Sequence, residues 1–179
     1  MNGSPLPLDA RGDGLFTATF TPSAGAVNVT VTAGSGGSSD VQSVTAMVNQ
    51  TYPIVPGGSP VTITTHSAGE NAWLTFDGHA DQRIALRMNG VTIGPSPCCS
   101  TYVWIYKPDG TALASQTLVG TNGGFVDTRV LPATGRYRIL VDPQATATGS
   151  MTLTLYDVPP DVSTTIAPGG APVTVTTGP

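Results

Sequence analysis

Apolar and polar residues alternate through most of this chain, and a period of two marks strands with one buried face. The alternation is clear at residues 15–20 (Leu-Phe-Thr-Ala-Thr-Phe) and 26–32 (Ala-Val-Asn-Val-Thr-Val-Thr), with the turn Thr-Pro-Ser-Ala-Gly between them. The spacing predicts a hairpin. Two strands alone are marginal in water, so this pair needs something to pack on. Residues 34–39 (Gly-Ser-Gly-Gly-Ser-Ser) read as a flexible linker, residues 41–48 as a strand or connector, and residues 51–60 are broken by Pro and Gly. Beyond them, strands are predicted at residues 60–65, 71–77, 82–89, 101–107, 112–119, 125–130, 135–141 and 150–156. Turn signals separate them, such as Lys107-Pro108-Asp109-Gly110. Short strands at even spacing, with no helical period, predict an all-β antiparallel sandwich of jelly-roll type.

Alternation also assigns faces. Ala72, Leu74 and Phe76 form one apolar set, which places Trp73, Thr75 and Asp77 outside. Ile84, Leu86 and Met88 point in and leave Arg83 and Arg87 out. Tyr137, Ile139 and Val141 point in and leave Arg136 and Arg138 out. Residues 101–107 read two ways: Val103 and Ile105 form one face, and Tyr102, Trp104 and Tyr106 form the other. A β-branched pair suits a sandwich interior, which puts the aromatics in solvent; the opposite reading buries them. In the first case Trp73, Tyr102, Trp104, Tyr106 and Arg87 are candidate ligand-binding residues. Exposed aromatics beside arginines are what sugar rings stack on, or what a partner protein buries.

One phrase occurs twice. Residues 54–65 read Ile-Val-Pro-Gly-Gly-Ser-Pro-Val-Thr-Ile-Thr-Thr, and residues 166–177 read Ile-Ala-Pro-Gly-Gly-Ala-Pro-Val-Thr-Val-Thr-Thr. The offset from Pro56 to Pro168 is 168 − 56 = 112 residues, the size of a whole domain rather than of a solenoid repeat. The expected organisation is a partial hairpin at 1–33, a connector at 34–51, a complete sandwich module at 52–158, and a linker with the first strand of a next repeat at 159–179. That strand (Pro172, Val173, Thr174, Val175, Thr176 and Thr177) has backbone groups to satisfy, so it is expected to add to the sheet edge of another copy.

Composition narrows the function classes. Only 10% of the 179 residues are charged, the net charge is −4, and Lys107 is the single lysine. No basic stripe exists, so nucleic acid is not an expected partner. No apolar run approaches the ~20 residues of a membrane-spanning helix, and residues 1–7 lack the basic and apolar regions of a signal peptide. The two histidines, His66 and His79, accompany no nucleophile motif or metal-binding spacing, so no catalytic residue and no cofactor is expected. Asp77 and Asp81 are the best carboxylate pair for a calcium ion, but turn formation explains them equally. Arg11-Gly12-Asp13 and the sequons at Asn28 and Asn49 match motifs short enough to arise by chance.

Cys98 and Cys99 are the only cysteines and are adjacent. In an oxidising compartment they bond to each other or to another chain. Consecutive Cα atoms lie about 3.8 Å apart, closer than in ordinary disulfides, so the vicinal bond is a strained one. Free thiols and a bond between chains are the alternatives.

Residues 72–76 (Ala-Trp-Leu-Thr-Phe), 103–111 (Val-Trp-Ile-Tyr-Lys-Pro-Asp-Gly-Thr) and 131–141 (Leu-Pro-Ala-Thr-Gly-Arg-Tyr-Arg-Ile-Leu-Val) carry a resemblance. With them, the module at 52–158 resembles the bacterial pre-peptidase C-terminal domains and related repeats of large secreted or cell-surface proteins. The hairpin at 15–32 resembles the end of an immunoglobulin-like domain. The resemblance implies a non-catalytic, extracellular β-sandwich with neighbouring repeats or copies of itself as partners. Cys98-Cys99-Ser100 stands where that family often carries an Asp-rich strand start, which argues against a metal-binding version. The expectation is a structural spacer module; the alternative is a carbohydrate-binding module that uses the aromatic face on polysaccharide.

Overall fold

A computed structural model describes residues 9–11, 15–17, 25–35, 38–96 and 99–176. Strands are numbered in chain order. β1 (Asp9–Arg11) pairs with β2 (Leu15–Thr17), and β3 (Gly25–Ser35) pairs with β4 (Ser38–Val48), each as a separate two-stranded antiparallel sheet. β5 (Gln50–Pro53), β6 (Val61–Thr65), β7 (Ala72–Gly78), β8 (Arg83–Asn89), β9 (Thr101–Tyr106), β10 (Thr117–Val119), β11 (Gly124–Val130), β12 (Gly135–Pro143) and β13 (Gly149–Asp157) build two larger sheets.

The N-terminal hairpin forms with different partners from those expected. Residues 15–17 turn back onto 9–11, and residues 25–35 pair forward with 38–48, with Ser35 opposite Ser38. Gly34, Ser35, Ser38 and Ser39, within the stretch read as a linker, therefore pair across two strands, and residues 41–48 belong to an eleven-residue strand. The physical reason is local. Ser35 and Ser38 are three positions apart, and segments that close in sequence cost less entropy to pair than more distant ones.

The sandwich follows the sequence closely. One sheet has the order β10-β9-β12-β7-β5 and the other β11-β8-β13-β6. Consecutive strands from β6 onward alternate between the sheets except at the β9–β10 hairpin, and the first and last, β6 and β13, pair antiparallel. This is the jelly roll. Its core lies between the sheets: Leu74, Phe76, Val103, Ile105, Tyr137 and Ile139 from one side meet Ile63, Ile84, Leu86, Met88, Met151 and Leu153 from the other, all buried. At ~0.8 kcal/mol per buried CH₂, these side chains are the main source of stability.

β5 was hidden in the Pro- and Gly-broken stretch. It runs parallel to β7 at the sheet edge, Gln50 opposite Ala72 and Pro53 opposite Thr75, where a strand tolerates proline. The chain then crosses between the sheets in one turn. Ile54 donates its N–H to Thr75 O (3.0 Å) on β7, and Gly57 donates to Leu155 O (2.8 Å) on β13. The opening of the module is thus stitched to its closing strand. Where β13 begins, Gly149 is required: a Cβ there would lie 2.6 Å from Thr92 O, and its φ is +142°.

Candidate functional site

The five-stranded sheet carries its aromatics on the side away from the core. In β9, Thr101, Val103 and Ile105 are buried while Tyr102, Trp104 and Tyr106 are half-buried on the opposite side. The β-branched pair faces the interior because β12 presents Ile139 and Val141 to it there. Trp73 in β7 shares the outer face, since Ala72, Leu74 and Phe76 are buried.

Register places these rings together. Trp104 and Trp73 both oppose Leu140 of β12, one from each side, and Tyr106 and Thr75 both oppose Arg138. The Trp104 and Tyr106 rings lie nearly parallel, with centroids 6.2 Å apart and planes at 18°. Trp73 and Tyr106 are 5.9 Å apart across β12. The Arg138 guanidinium sits over the Trp73 ring, 5.3 Å from its centroid, a cation–π contact. Arg136 donates to Thr75 Oγ1 (3.3 Å). Tyr102 stands at the other end of the row, between Leu118 and Asp142.

Arg87 does not belong to this face. It lies in β8, in the opposite sheet, between Phe125 and Thr154, and is exposed on the far side of the sandwich. Its outward direction was read correctly, but alternation does not say which sheet a strand joins.

Of the two candidate carboxylates, Asp81 is a turn residue and Asp77 a strand residue of β7. Asp81 has a φ of +66°, donates its N–H to Leu131 O (2.8 Å) and forms part of the turn closed by Gln82 N–H to His79 O (3.2 Å). Asp tolerates that left-handed conformation better than most residues. Asp77 is exposed and opposes Arg136. Among the described residues, no three His, Cys, Asp or Glu side chains converge on a point that could hold a metal ion. Asp109 accepts from both the backbone N–H (2.8 Å) and the hydroxyl (2.7 Å) of Thr111, and lies 3.5 Å from Lys107 Nζ. Those hydrogen bonds from Thr111 hold its carboxyl below the usual aspartate value, burial opposing and Lys107 adding to the effect.

One polar cluster went unread in the sequence. Glu70, the only glutamate of the chain, has a fully buried side chain in the loop between β6 and β7. It accepts from the backbone N–H of His66 (2.6 Å) and of Ser67 (3.1 Å) and from Gln50 Nε2 (2.9 Å). Gln50 Nε2 also donates to Thr64 O (2.9 Å), and Tyr52 donates its hydroxyl to Gln50 Oε1. His66 Nδ1 is 3.8 Å from the carboxylate. Burial pushes the Glu70 carboxyl up. The Gln50 amide, the two backbone N–H groups and His66 together outweigh it and hold the group below its ordinary value. The cluster ties edge strand β5 to β6, and so joins the two sheets.

A shallow cavity lies at one end of the sandwich, lined by Thr92, Gly94, Ser100, Gln144, Thr146 and Thr148 among others, none of its lining side chains titratable. Cys98, beside it in sequence, lies outside the described residues, as does Thr177; Cys99 is exposed, with a φ of +70°. Residues 172–176, expected as a strand, belong to no strand and are exposed. A strand needs a partner, and none of the described residues pairs with them.

No protein-family model matches the sequence, and no curated protein matches it. Solved structures are similar at the level of strand layout. The pre-peptidase C-terminal domain of a Bacillus anthracis collagenase is 13% identical, with 62% of this chain and 98% of that one covered and a TM-score of 0.44. The Aeromonas hydrophila periplasmic inhibitor of g-type lysozyme is 11% identical over 60% of this chain and 99% of its own, with a TM-score of 0.39. A carbohydrate-binding module of the β-sandwich superfamily is 13% identical over 85% and 86%, with a TM-score of 0.33. Similarities this distant carry no conclusion about what this chain binds.

Proposed function

We propose that this chain is a non-catalytic β-sandwich module of a secreted or cell-surface protein, and that the outer face of its five-stranded sheet binds polysaccharide. The observation that supports it is the row of Trp104, Tyr106 and Tyr102, with Trp73 and Arg138 beside it, on the solvent side of a sheet whose other face already supplies a complete core. Aromatic rings bring large apolar area at low conformational cost, and Tyr and Arg add hydrogen bonds at the edges. Within β9, Trp104 and Tyr106 stack on each other and face away from the core.

Trp104→Ala separates this reading from a structural one. Stability should fall by about 1 kcal/mol, well short of a core truncation. Retention on insoluble polysaccharide should weaken about tenfold or more, the size expected for an aromatic anchor. Binding that survives in the variant, or a wild-type chain that binds no polysaccharide in a broad panel, would remove the proposal.

A second reading, a segment of a tandem array that associates through strand addition, has its own support. The repeated phrase folds alike in both places. Gly57 and Gly169 have φ of +72° and +75°, and Gly58 N–H to Val55 O (2.9 Å) is matched by Gly170 N–H to Ala167 O (3.0 Å). Ile54 is 3% exposed, whereas its counterpart Ile166 is 71% exposed. The second copy has formed the turn without the sheet that the first copy packs on. An edge such as the outer side of β6 offers unpaired backbone groups to it. Sedimentation should show association that rises with concentration and disappears when residues 165–179 are deleted. Association indifferent to that deletion, or none at all, would end the strand-addition reading.

A further inference from the structure

We infer that the aromatic face selects a glycan that carries carboxylates, with Arg138 as the selecting residue; the inference rests on the polysaccharide reading above. Arg136 and Arg138 are both exposed on β12. They stand two residues apart on one face, so about 7 Å apart along the strand. Among the described residues neither has a carboxylate partner: the ion pairs there are Arg83–Asp161, Lys107–Asp109 and His66–Glu70. Arg136 turns to the Thr75 hydroxyl although Asp77 opposes it in the register. The other charges on the face are Asp77, opposite Arg136, and Asp142, beside Tyr102 at the far end of the row. Arg138 alone stands level with the aromatic rings, opposite Tyr106, and puts a positive charge, without an ion pair among the described residues, against the row.

Arg138 is also held in place. Its guanidinium lies over Trp73, with Nη2 reaching toward Gly110 at the β9–β10 turn; a Cβ on that glycine would be 4.0 Å away. Stacking on an indole uses the face of the guanidinium and leaves its in-plane N–H donors for another group. A planar carboxylate takes two of those donors side by side, which a neutral hydroxyl does not. Trp73 is then a platform for the arginine, and Trp104 with Tyr106 remains for the sugar ring. A polymer with a carboxylate on successive sugars would meet both arginines in turn.

The test compares polygalacturonate with the same polymer fully methyl-esterified, by affinity electrophoresis on the whole chain at low and raised ionic strength. The acid form should bind at least tenfold more tightly than the ester, and the ratio should shrink as salt screens the charges. Arg138→Gln should bring the ratio close to one, and Arg138→Lys should restore only part of it, since lysine keeps the charge and loses the fork. Arg87→Gln, on the opposite sheet, should keep the wild-type ratio. Equal binding of acid and ester by the wild type overturns acid selection and leaves the polysaccharide reading standing. An acid preference that persists in Arg138→Gln overturns the assignment to Arg138. Failure to bind either polymer, or any polysaccharide, overturns the reading on which the inference rests.

Discussion

Tyr137→Ala is expected to cost about 3–5 kcal/mol, the range for an aromatic removed from a closed core. Tyr137 is fully buried in β12. Its ring stacks on Phe76 of β7, with centroids 5.2 Å apart and planes at 17°. Its hydroxyl donates to Ala133 O (2.7 Å) and accepts from Ala133 N–H (3.3 Å), so it also holds the turn that leads into its own strand. Nearby, Gly78 leaves no room for a side chain: a Cβ there would lie 2.4 Å from Leu131 Cδ1. The packing is tight on every side, and little of the vacated space can close. Tyr137→Phe isolates the polar part. It keeps the stack and removes the partner of the Ala133 N–H and C=O; because Ala133 is exposed water can reach them, and the loss should be about 0.5–1.5 kcal/mol. Urea unfolding of the two variants gives both numbers. An alanine variant within 1 kcal/mol of wild type would mean that the sheets do not close over this residue as described.

The same residue shows what was legible in the sequence. Tyr137, Ile139 and Val141 alternate with Arg136 and Arg138, and that period is enough to assign the inward and outward sets correctly. It works because each sandwich strand has one apolar face and one wet one. The two faces of β9 were both open to the sequence, since aromatics and β-branched residues are each at home in a core; the contacts across β12 decide for Val103 and Ile105. Alternation says nothing about partners. Residues 26–32 were recognisable as a strand, yet their partner is 38–48. Arg87 was recognisable as outward, yet it lies on the other sheet from the aromatics. β5 escaped because Gln50, Thr51, Tyr52 and Pro53 show no apolar alternation, and a short parallel edge strand needs none.

Glu70 escaped for a different reason, and its replacement is the second large effect. A lone glutamate in a Ser-Ala-Gly-Glu-Asn loop reads as solvated. The available signal was the spacing from Ser67 to Glu70, the Ser-x-x-Glu pattern in which a glutamate reaches back to the serine N–H. Here it does so at 3.1 Å without a helix following. Glu70→Ala leaves the His66 and Ser67 N–H groups and the Gln50 amide without their acceptor, at a cost of about 3 kcal/mol. Glu70→Gln keeps one acceptor oxygen but sets an NH₂ against those donors, and should cost about 2 kcal/mol. The loss has a pH signature. The folded carboxyl is held below its ordinary value of 4.5, so the folded state binds the proton less readily than the unfolded state. The stabilisation is therefore fully present above the unfolded value and disappears as pH falls through the folded one. The gap in unfolding free energy between wild type and Glu70→Gln should be constant from about pH 7 down to pH 5 and then narrow toward acid. Chemical unfolding of both chains along that series measures it. A gap that stays constant into acid, or widens there, would mean that Glu70 is not the ionised centre of the cluster that binds β5 to the rest of the sandwich.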